Sequence, residues 1–130
     1  MAKNVYLDYN ATTPVAPEVL DAMSPWFTER FWNAASSHPM GMVANDAVEA
    51  ARRQVADLIG AHPNEIVFTS GSTESINLAL KGALSASSDR TGIVTVATEH
   101  KAVLDTVAWL ADQGATTCVL PVNASGEIDS

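Results

Sequence analysis

Residues 92–120 have the sequence GIVTVATEHKAVLDTVAWLADQGATTCVL, and this stretch decides the fold class. Its first part, Gly92–Thr98, is mostly β-branched and apolar, which is typical of a buried strand. Apolar side chains then recur at helical spacing over Lys101–Gln113, Gly114 ends that helix, and Thr116–Leu120 is again strand-like. A strand, a helix and a second strand in this order predict parallel strands joined by a crossover.

The same alternation extends towards the N-terminus. Glu65–Thr69 has the sequence EIVFT and is predicted to be a buried strand, and Ser72–Leu84 is predicted to be a helix with one apolar stripe. Before them, apolar side chains recur every three or four residues over Val43–Ile59, which predicts an amphipathic helix that Gly60 ends. The fold class is therefore α/β.

The first forty residues are less regular. Val5–Leu7 predicts a short strand, and a polar loop follows it. A helix is expected to begin at Pro17, where the missing N–H of proline is harmless, and to kink or end at Pro25. Residues 31–39 have no clear period and are predicted to be a loop.

The composition excludes several classes of protein. The 130 residues carry a formal net charge of −8, which argues against a nucleic-acid partner because phosphates select Lys and Arg clusters. No apolar run approaches the roughly 18 residues of a membrane span, and the N-terminus lacks the apolar stretch of a signal peptide. A single cysteine, Cys118, excludes a disulfide framework within one chain. These features predict a cytoplasmic protein.

One turn suits an anionic ligand. Ser70-Gly71-Ser72-Thr73 joins the strand predicted at Glu65–Thr69 to the following helix. Ser72 and Thr73 place free N–H groups and hydroxyls at the positive end of the helix dipole, where a phosphate binds well. Simple helix capping explains the same residues without any ligand, and such turns are common.

A histidine follows the next strand. In open α/β sheets the carboxyl ends of the strands face the ligand crevice, so His100, after Thr98, is expected near the Ser72 turn. An imidazole there could stack on a planar ring or move a proton, although a capping role is the commoner explanation for a lone histidine. His38, His62 and His100 lack metal-ligand spacing, so no metal is predicted.

Four segments of the sequence together resemble a known family. They are YLDYNATTP at residues 6–14, Asn33 with Ser36, His38 and Gly41, FTSGSTES at residues 68–75, and TEHKAVLD at residues 98–105. In order and spacing they resemble the N-terminal portion of cysteine desulfurases, pyridoxal 5′-phosphate-dependent enzymes of the class-V aminotransferase family. The resemblance implies the large domain of a fold-type-I pyridoxal-phosphate transferase with an incomplete sheet.

The resemblance assigns roles to individual residues. Ser72 and Thr73 match positions that hold the cofactor phosphate, and His100 matches the histidine that stacks on the pyridine ring and assists proton transfer. A further group matches segments near the substrate mouth and the dimer interface: Asn10, Ala11, Thr12, Asn33 and His38.

The resemblance also implies an organisation and a reaction. Residues 1–45 match the N-terminal segment and loops, and residues 46–130 match the first, truncated part of the cofactor-binding domain. Family members remove sulfur from L-cysteine, giving L-alanine and a persulfide for iron–sulfur clusters or tRNA thiolation. The implied partners are L-cysteine, a second subunit in the complete homodimeric enzyme, sulfur-acceptor proteins, and a complementing C-terminal chain.

Two residues essential to the family reaction are missing from this chain. Lys3, Lys81 and Lys101 do not occur in the SGHK-type context of the lysine that bonds the cofactor, and Cys118 lies in a predicted strand, where a buried structural thiol is expected. The chain alone is therefore predicted to be inactive. Two alternatives remain: another class-V enzyme such as a selenocysteine lyase, and a non-catalytic phosphate-binding α/β fragment.

Overall fold

The chain forms two compact units in a computed structural model that describes residues 4–87, 89 and 92–128. The first unit is Met1–Ile66 and the second is Val67–Ser130. The division between residues 45 and 46, expected by resemblance, concerns the domains of a longer enzyme and stays a prediction.

The first unit begins with two short helices, α1 (Pro17–Met23) and α2 (Pro25–Thr28). Each starts with a proline, whose fixed φ suits the first helical turn and whose missing N–H has no intrahelical partner there in any case. The helix predicted to start at Pro17 and to break at Pro25 is confirmed, because Ser24 separates the two segments.

The long helix of this unit is α3 (Pro39–Ile59), and it starts four residues before the predicted Val43. The helix begins earlier in the chain because His38 caps it. The Nδ1 atom of His38 accepts a hydrogen bond from the N–H of Gly41 at 3.1 Å. Gly60, with φ of 67°, ends the helix in the left-handed conformation that glycine adopts most readily.

A 3₁₀ helix at Pro63–Glu65 follows α3 and replaces the start of the strand predicted over Glu65–Thr69. The carboxylate of Glu65 accepts the N–H of His62 at 2.7 Å, which closes a capping box around this turn. Arg52 on α3 donates to the carbonyl of Ile66 and lies 3.1 Å from Glu49 Oε1, so it ties the end of the unit to the helix.

The strands predicted at Val5–Leu7 and over Glu65–Thr69 are both wrong. Ile66 has an extended backbone, with φ of −96° and ψ of 125°, but residues 66–69 form no ladder with any described residue. A strand exists only where a neighbour takes up its N–H and C=O groups. Val67 is 63% exposed, as expected for an apolar segment without a sheet around it.

The second unit contains the predicted strand–helix–strand arrangement. Its elements are α4 (Ser72–Ser85), β1 (Gly92–Val96), α5 (Lys101–Asp112) and β2 (Thr116–Leu120). The two strands are parallel, with Gly92 opposite Thr116 and Val96 opposite Leu120. The predicted helices and the parallel pair are confirmed, each element ending within two residues of its predicted limit.

Helix α5 forms the core of this unit by packing against α4 and β2. Thr106, Val107 and Leu110 are buried, and the Thr106 hydroxyl donates to the carbonyl of Ala102 at 2.7 Å, so the only buried polar side chain found among the described residues is satisfied. The Lys81 ammonium lies 4.2 Å from the centroid of the Trp109 ring and joins α4 to α5.

The two-stranded sheet has one face that the other described elements do not cover. Val94 is 68% exposed, and its partner Cys118 is also exposed. The prediction that Cys118 is buried is therefore wrong, because a strand is buried on both faces only when layers cover both. Within the described part of the chain, no helix has the length and apolar character needed to cross a membrane.

Candidate phosphate-binding site

The turn before α4 presents a set of open hydrogen-bond donors. Gly71 is the N-cap residue, and the first intrahelical bond runs from Ser75 N to Gly71 O at 3.1 Å. The N–H groups of Ser72, Thr73 and Glu74 make no hydrogen bond to any described residue, and neither do the hydroxyls of Ser72 and Thr73. These donors stand at the positive end of a 14-residue helix, which suits a phosphate.

Access to the donors is open at Gly71. A Cβ built at this glycine would meet nothing within 4 Å, so no side chain or backbone segment of the described chain fills the space beside the turn. The donor set and the free space fit the phosphate group of pyridoxal 5′-phosphate. Ser72 and Thr73 are the residues that would hold it.

Two pairs of side chains stabilise the conformation of the turn. The Glu74 carboxylate accepts from both the N–H of Ser70 at 2.7 Å and the hydroxyl of Ser70 at 2.6 Å. The hydroxyls of Thr69 and Ser75 lie 2.6 Å apart, and Thr69 Oγ1 also donates to Gly71 O at 3.2 Å. Residues 69–71 are thus fastened to the first turn of α4 by side chains that leave the donors of Ser72 and Thr73 unused.

The hydrogen bonds to Glu74 change its acidity. Those from the hydroxyl and then the N–H of Ser70 hold the pKa of the Glu74 carboxyl below its ordinary value of 4.5, because both favour the charged form. A lowered folded-state pKa means that this interaction is present in full above the unfolded-state pKa. It is lost as the pH falls through the folded-state pKa. At neutral pH the carboxylate is therefore ionised and the turn is fastened.

His100 caps the N-terminus of α5. Its Nδ1 accepts from the N–H of Ala102 at 3.1 Å, so Nδ1 carries no proton in this arrangement. The neutral ring then carries its proton on Nε2, and the exposed side chain leaves that atom free to donate. The capping role expected for a lone histidine and a role in proton transfer therefore use different nitrogens. No hydrogen bond joins His100 to Ser72 or Thr73, so their predicted proximity stays a prediction.

The predicted substrate-mouth residues lie in the first unit. The Asp8 carbonyl accepts from the N–H of Ala11 at 3.1 Å and of Thr12 at 3.4 Å, which forms a turn that includes Asn10. Asn33 Oδ1 accepts from Ala35 N at 2.9 Å. These contacts order the local backbone, and the substrate role of these residues stays a prediction.

His38 also belongs to the predicted substrate mouth. Its Nδ1 caps α3, so only Nε2 is left for another partner. Gly41, which donates to this ring, is buried against the loop at residues 33–36, so the orientation of His38 is linked to close packing at the start of α3.

Comparisons with known proteins place this geometry in a family. The aminotransferase class-V family profile matches residues 5–130. The chain belongs to the class-V aminotransferase family. It is 50% identical over 129 residues to the mitosomal cysteine desulfurase of Trachipleistophora hominis, and 54% identical over 128 residues to cysteine desulfurase IscS of Dechloromonas aromatica. Each alignment covers 96% of this chain but only 29% and 32% of the relatives.

Solved structures agree with this class-V assignment. A NifS-like protein superposes with a TM-score of 0.86 and 41% identity over 98% of this chain and 35% of its own. The cysteine desulfurase of Thermococcus onnurineus NA1 gives a TM-score of 0.79 with 31% identity, over 96% of this chain and 32% of its own. The predicted α/β fold class and the resemblance to the N-terminal portion of cysteine desulfurases are confirmed. The chain spans about a third of these relatives.

The described lysines have structural or surface positions in this class-V chain. Lys81 lies within α4, and its ammonium faces the Trp109 ring. Lys101 forms a 2.7 Å ion pair with Asp105, and both side chains are well exposed. Lys3 lies outside the described residues.

The first unit has a concave surface of its own. It is an open groove of about 820 Å³ in the first unit, lined mainly by apolar side chains of α1, α2, α3 and the loop between α2 and α3. Arg30 is its one charged lining residue, and its guanidinium lies 5.6 Å from the Trp26 ring centroid. Among the described residues no group of three His, Cys, Asp or Glu side chains could hold a metal.

Sequence reasoning missed the Glu74 carboxylate and the pairing of Thr69 with Ser75. A signal was present in the spacing, because an acidic residue in the first helical turn commonly reaches back to an N–H before the helix, as in a capping box. These side chains stabilise the turn and contact no ligand, so residue types suited to ligand binding do not indicate them.

Proposed function

We propose that this chain supplies the phosphate-binding and ring-facing part of a pyridoxal 5′-phosphate-dependent cysteine desulfurase. The complete enzyme would remove sulfur from L-cysteine and give L-alanine and a persulfide for iron–sulfur clusters or tRNA thiolation. The observation that carries the proposal is the open donor set of Ser72 and Thr73 in a chain 54% identical to a cysteine desulfurase.

The proposal gives each of these residues a role that its geometry supports. Ser72 and Thr73 would bind the phosphate through N–H groups and hydroxyls at the start of α4. His100, held at Nδ1 by α5, would face the ring, and its Nε2–H is the proton available for transfer. When bound, the cofactor supplies an electron sink for the substrate's carbon skeleton.

The remaining roles belong to the same proposal. Asn10, Ala11, Thr12, Asn33 and His38 would border the substrate entrance. The partners would be L-cysteine, a second subunit, sulfur-acceptor proteins and a chain that supplies the C-terminal part. The compartment would be the cytoplasm.

A non-catalytic phosphate-binding fragment is the second candidate. The observation that favours it is the position of Lys81 and Lys101, of which one faces Trp109 and the other pairs with Asp105. A selenocysteine lyase or another class-V enzyme would bind the same cofactor, so only turnover with each substrate by the completed enzyme separates it from a desulfurase.

We expect the 130-residue chain alone to release neither sulfide nor alanine from L-cysteine in the presence of pyridoxal 5′-phosphate. Lys81 faces the Trp109 ring, Lys101 is paired with Asp105, and the exposed Cys118 lies in a strand rather than a mobile electropositive loop. The measurement is sulfide and alanine production by the purified chain, with a relative's desulfurase as positive control.

Sulfide production that is lost in Lys101→Ala would contradict this expectation and make Lys101 catalytic. The gene beyond codon 130 offers an independent check. An in-frame continuation with an SGHK-type word would supply the missing lysine in the same polypeptide.

We expect the cofactor to bind this chain weakly. A helix N-terminus contributes about 0.3–2 kcal/mol to binding of an anion, and charge-assisted hydrogen bonds from Ser72 and Thr73 add about 1.5–3 kcal/mol. The sum is about 4 kcal/mol, which corresponds to a dissociation constant of about 1 mM. A fluorescence titration with pyridoxamine 5′-phosphate measures this without imine formation on surface lysines.

The matched ligand for that titration is pyridoxamine, which lacks the phosphate. Thr73→Ala should remove most of the difference between the two ligands, while Thr116→Ala, at an exposed position in β2, should not change it. A micromolar dissociation constant would show that further groups, besides the donors of Ser72 and Thr73, bind the ligand. Equal affinity for both ligands would favour a protein without a phosphate site.

A further inference from the structure

The carboxylate of Glu74 is unexpected beside a site for an anion. A negative charge in the first turn of α4 lies close to the donors of Ser72 and Thr73, and Coulomb repulsion alone would weaken phosphate binding there. The structure nevertheless has Glu74 fully engaged with Ser70, through one oxygen that accepts two hydrogen bonds of 2.6 and 2.7 Å.

We infer that Glu74 is a positioning residue that fixes the Ser70–Gly71 turn so that the donors of Ser72 and Thr73 are presented together to the cofactor phosphate. This inference rests on the proposed function. Glu74 touches no ligand in this role and acts only through Ser70.

The geometry of the turn explains why such a residue is needed. Gly71 has no side chain and meets no neighbour within 4 Å at its Cβ position, so packing does not restrain the backbone there. Glycine has the largest conformational freedom of any residue, and an unrestrained Gly71 would have to be ordered when the anion binds. The Glu74–Ser70 hydrogen bonds order the turn beforehand.

A second restraint supports the same turn from the next residues. Thr69 Oγ1 contacts the Ser75 hydroxyl at 2.6 Å and donates to the carbonyl of Gly71 at 3.2 Å. The side chain of Asn77 donates to the Thr73 carbonyl at 3.0 Å and holds the first turn of the helix. None of these bonds uses the N–H or hydroxyl of Ser72 or the hydroxyl of Thr73, so every restraint leaves the donor set open.

Positioning and simple electrostatics predict opposite results for one substitution. Glu74→Ala removes a negative charge beside the anion site, so electrostatics alone predicts tighter binding of pyridoxamine 5′-phosphate. The positioning role predicts weaker binding, by about three- to tenfold, because the turn must then be ordered by the ligand. Glu74→Gln keeps an acceptor for Ser70 without the charge and should restore at least half of the lost affinity.

The experiment has two readouts on the same four chains: the unsubstituted chain, Glu74→Ala, Glu74→Gln and, as a charge control away from the turn, Asp112→Ala. The first is the ratio of affinities for pyridoxamine 5′-phosphate and pyridoxamine. The second is hydrogen exchange, measured by mass spectrometry without ligand, of the segment at residues 69–75. We expect the fastest exchange and the lowest ratio in Glu74→Ala, intermediate or normal values in Glu74→Gln, and unchanged values in Asp112→Ala.

A ratio that rises in Glu74→Ala, or exchange of residues 69–75 that does not change, would overturn the inference. If the unsubstituted chain does not distinguish the two ligands, the proposed function fails, and faster exchange in Glu74→Ala would then assign Glu74 a purely structural role. If the ratio is high in the unsubstituted chain and unaffected in Glu74→Ala, the proposed function stands and the positioning role fails.

Discussion

Gly41→Ala is expected to destabilise the first unit by about 2–4 kcal/mol. A Cβ at this position would overlap the Ser36 carbonyl oxygen and approach Ser36 Cβ to 2.8 Å and the Asn33 carbonyl to 2.9 Å. Two of these atoms belong to the backbone and have little room to move. The Gly41 N–H also donates to His38, so a shift of α3 would break its cap.

Gly82→Ala is the matched control, since it is the same change inside a helix. A Cβ at Gly82 meets nothing within 4 Å, and alanine has the higher helix propensity, so this variant should be more stable by about 0.5–1 kcal/mol. Urea unfolding followed by tryptophan fluorescence separates the units in a Trp109→Phe background, which leaves the fluorescence of Trp26 and Trp32 in the first unit. Equal unfolding midpoints for Gly41→Ala and its parent would contradict the close packing.

The strand–helix–strand part of the fold was predictable from the sequence because its stabilising contacts are local in the chain. Val107 lies on the predicted apolar stripe of α5 and is buried as the pattern predicts, whereas Leu110 is buried without having been assigned to that stripe. Gly92–Val96 and Thr116–Leu120 then pair with each other, so each strand has the neighbour that its composition demands.

The prediction of a strand over Glu65–Thr69 is wrong for a physical reason that cannot be deduced from the composition of the segment. Its residues have β-branched and aromatic side chains, but a strand depends on a ladder with a neighbour, and these residues belong to no ladder among the described residues. The same reasoning explains Cys118, whose strand is real but whose face is uncovered. In both cases the side chains are of sheet-forming types, and the surroundings decided the outcome.

The candidate site was predictable in part. Ser72 and Thr73 could be recognised from their types and from the position of Gly71 before a helix, and their donors are open in the structure. The hydrogen bonds from Ser70 to Glu74 were not predicted, although an acidic residue in the first helical turn is their signal in the sequence. The proximity of His100 to the turn depends on the sheet edge and stays a prediction.

The isolated chain is expected to be marginally stable and to associate through its uncovered apolar surfaces. Its sheet has two strands among the described residues, the side chains of Val94 and Val67 are 68% and 63% exposed, and an exposed sheet edge readily pairs with another chain. A complementing C-terminal chain would cover the same surfaces. Direct pairing of residues 66–69 with β1 is the alternative, and the structure shows β1 paired with β2 instead.

Hydrogen exchange at low protein concentration tests whether residues 66–69 are less stable than β1 and α5. Amides of β1 and α5 should exchange at least about tenfold more slowly than those of residues 66–69, which corresponds to about 1.4 kcal/mol of opening free energy. Val94→Lys and Val67→Lys should reduce association in sedimentation at higher concentration because a lysine at an unpaired edge opposes pairing. Gln113→Lys makes the same change of charge at an exposed helix end and should leave association unchanged. A monodisperse monomer at all concentrations, with residues 66–69 as protected as β1, would show that this segment already has a strand partner.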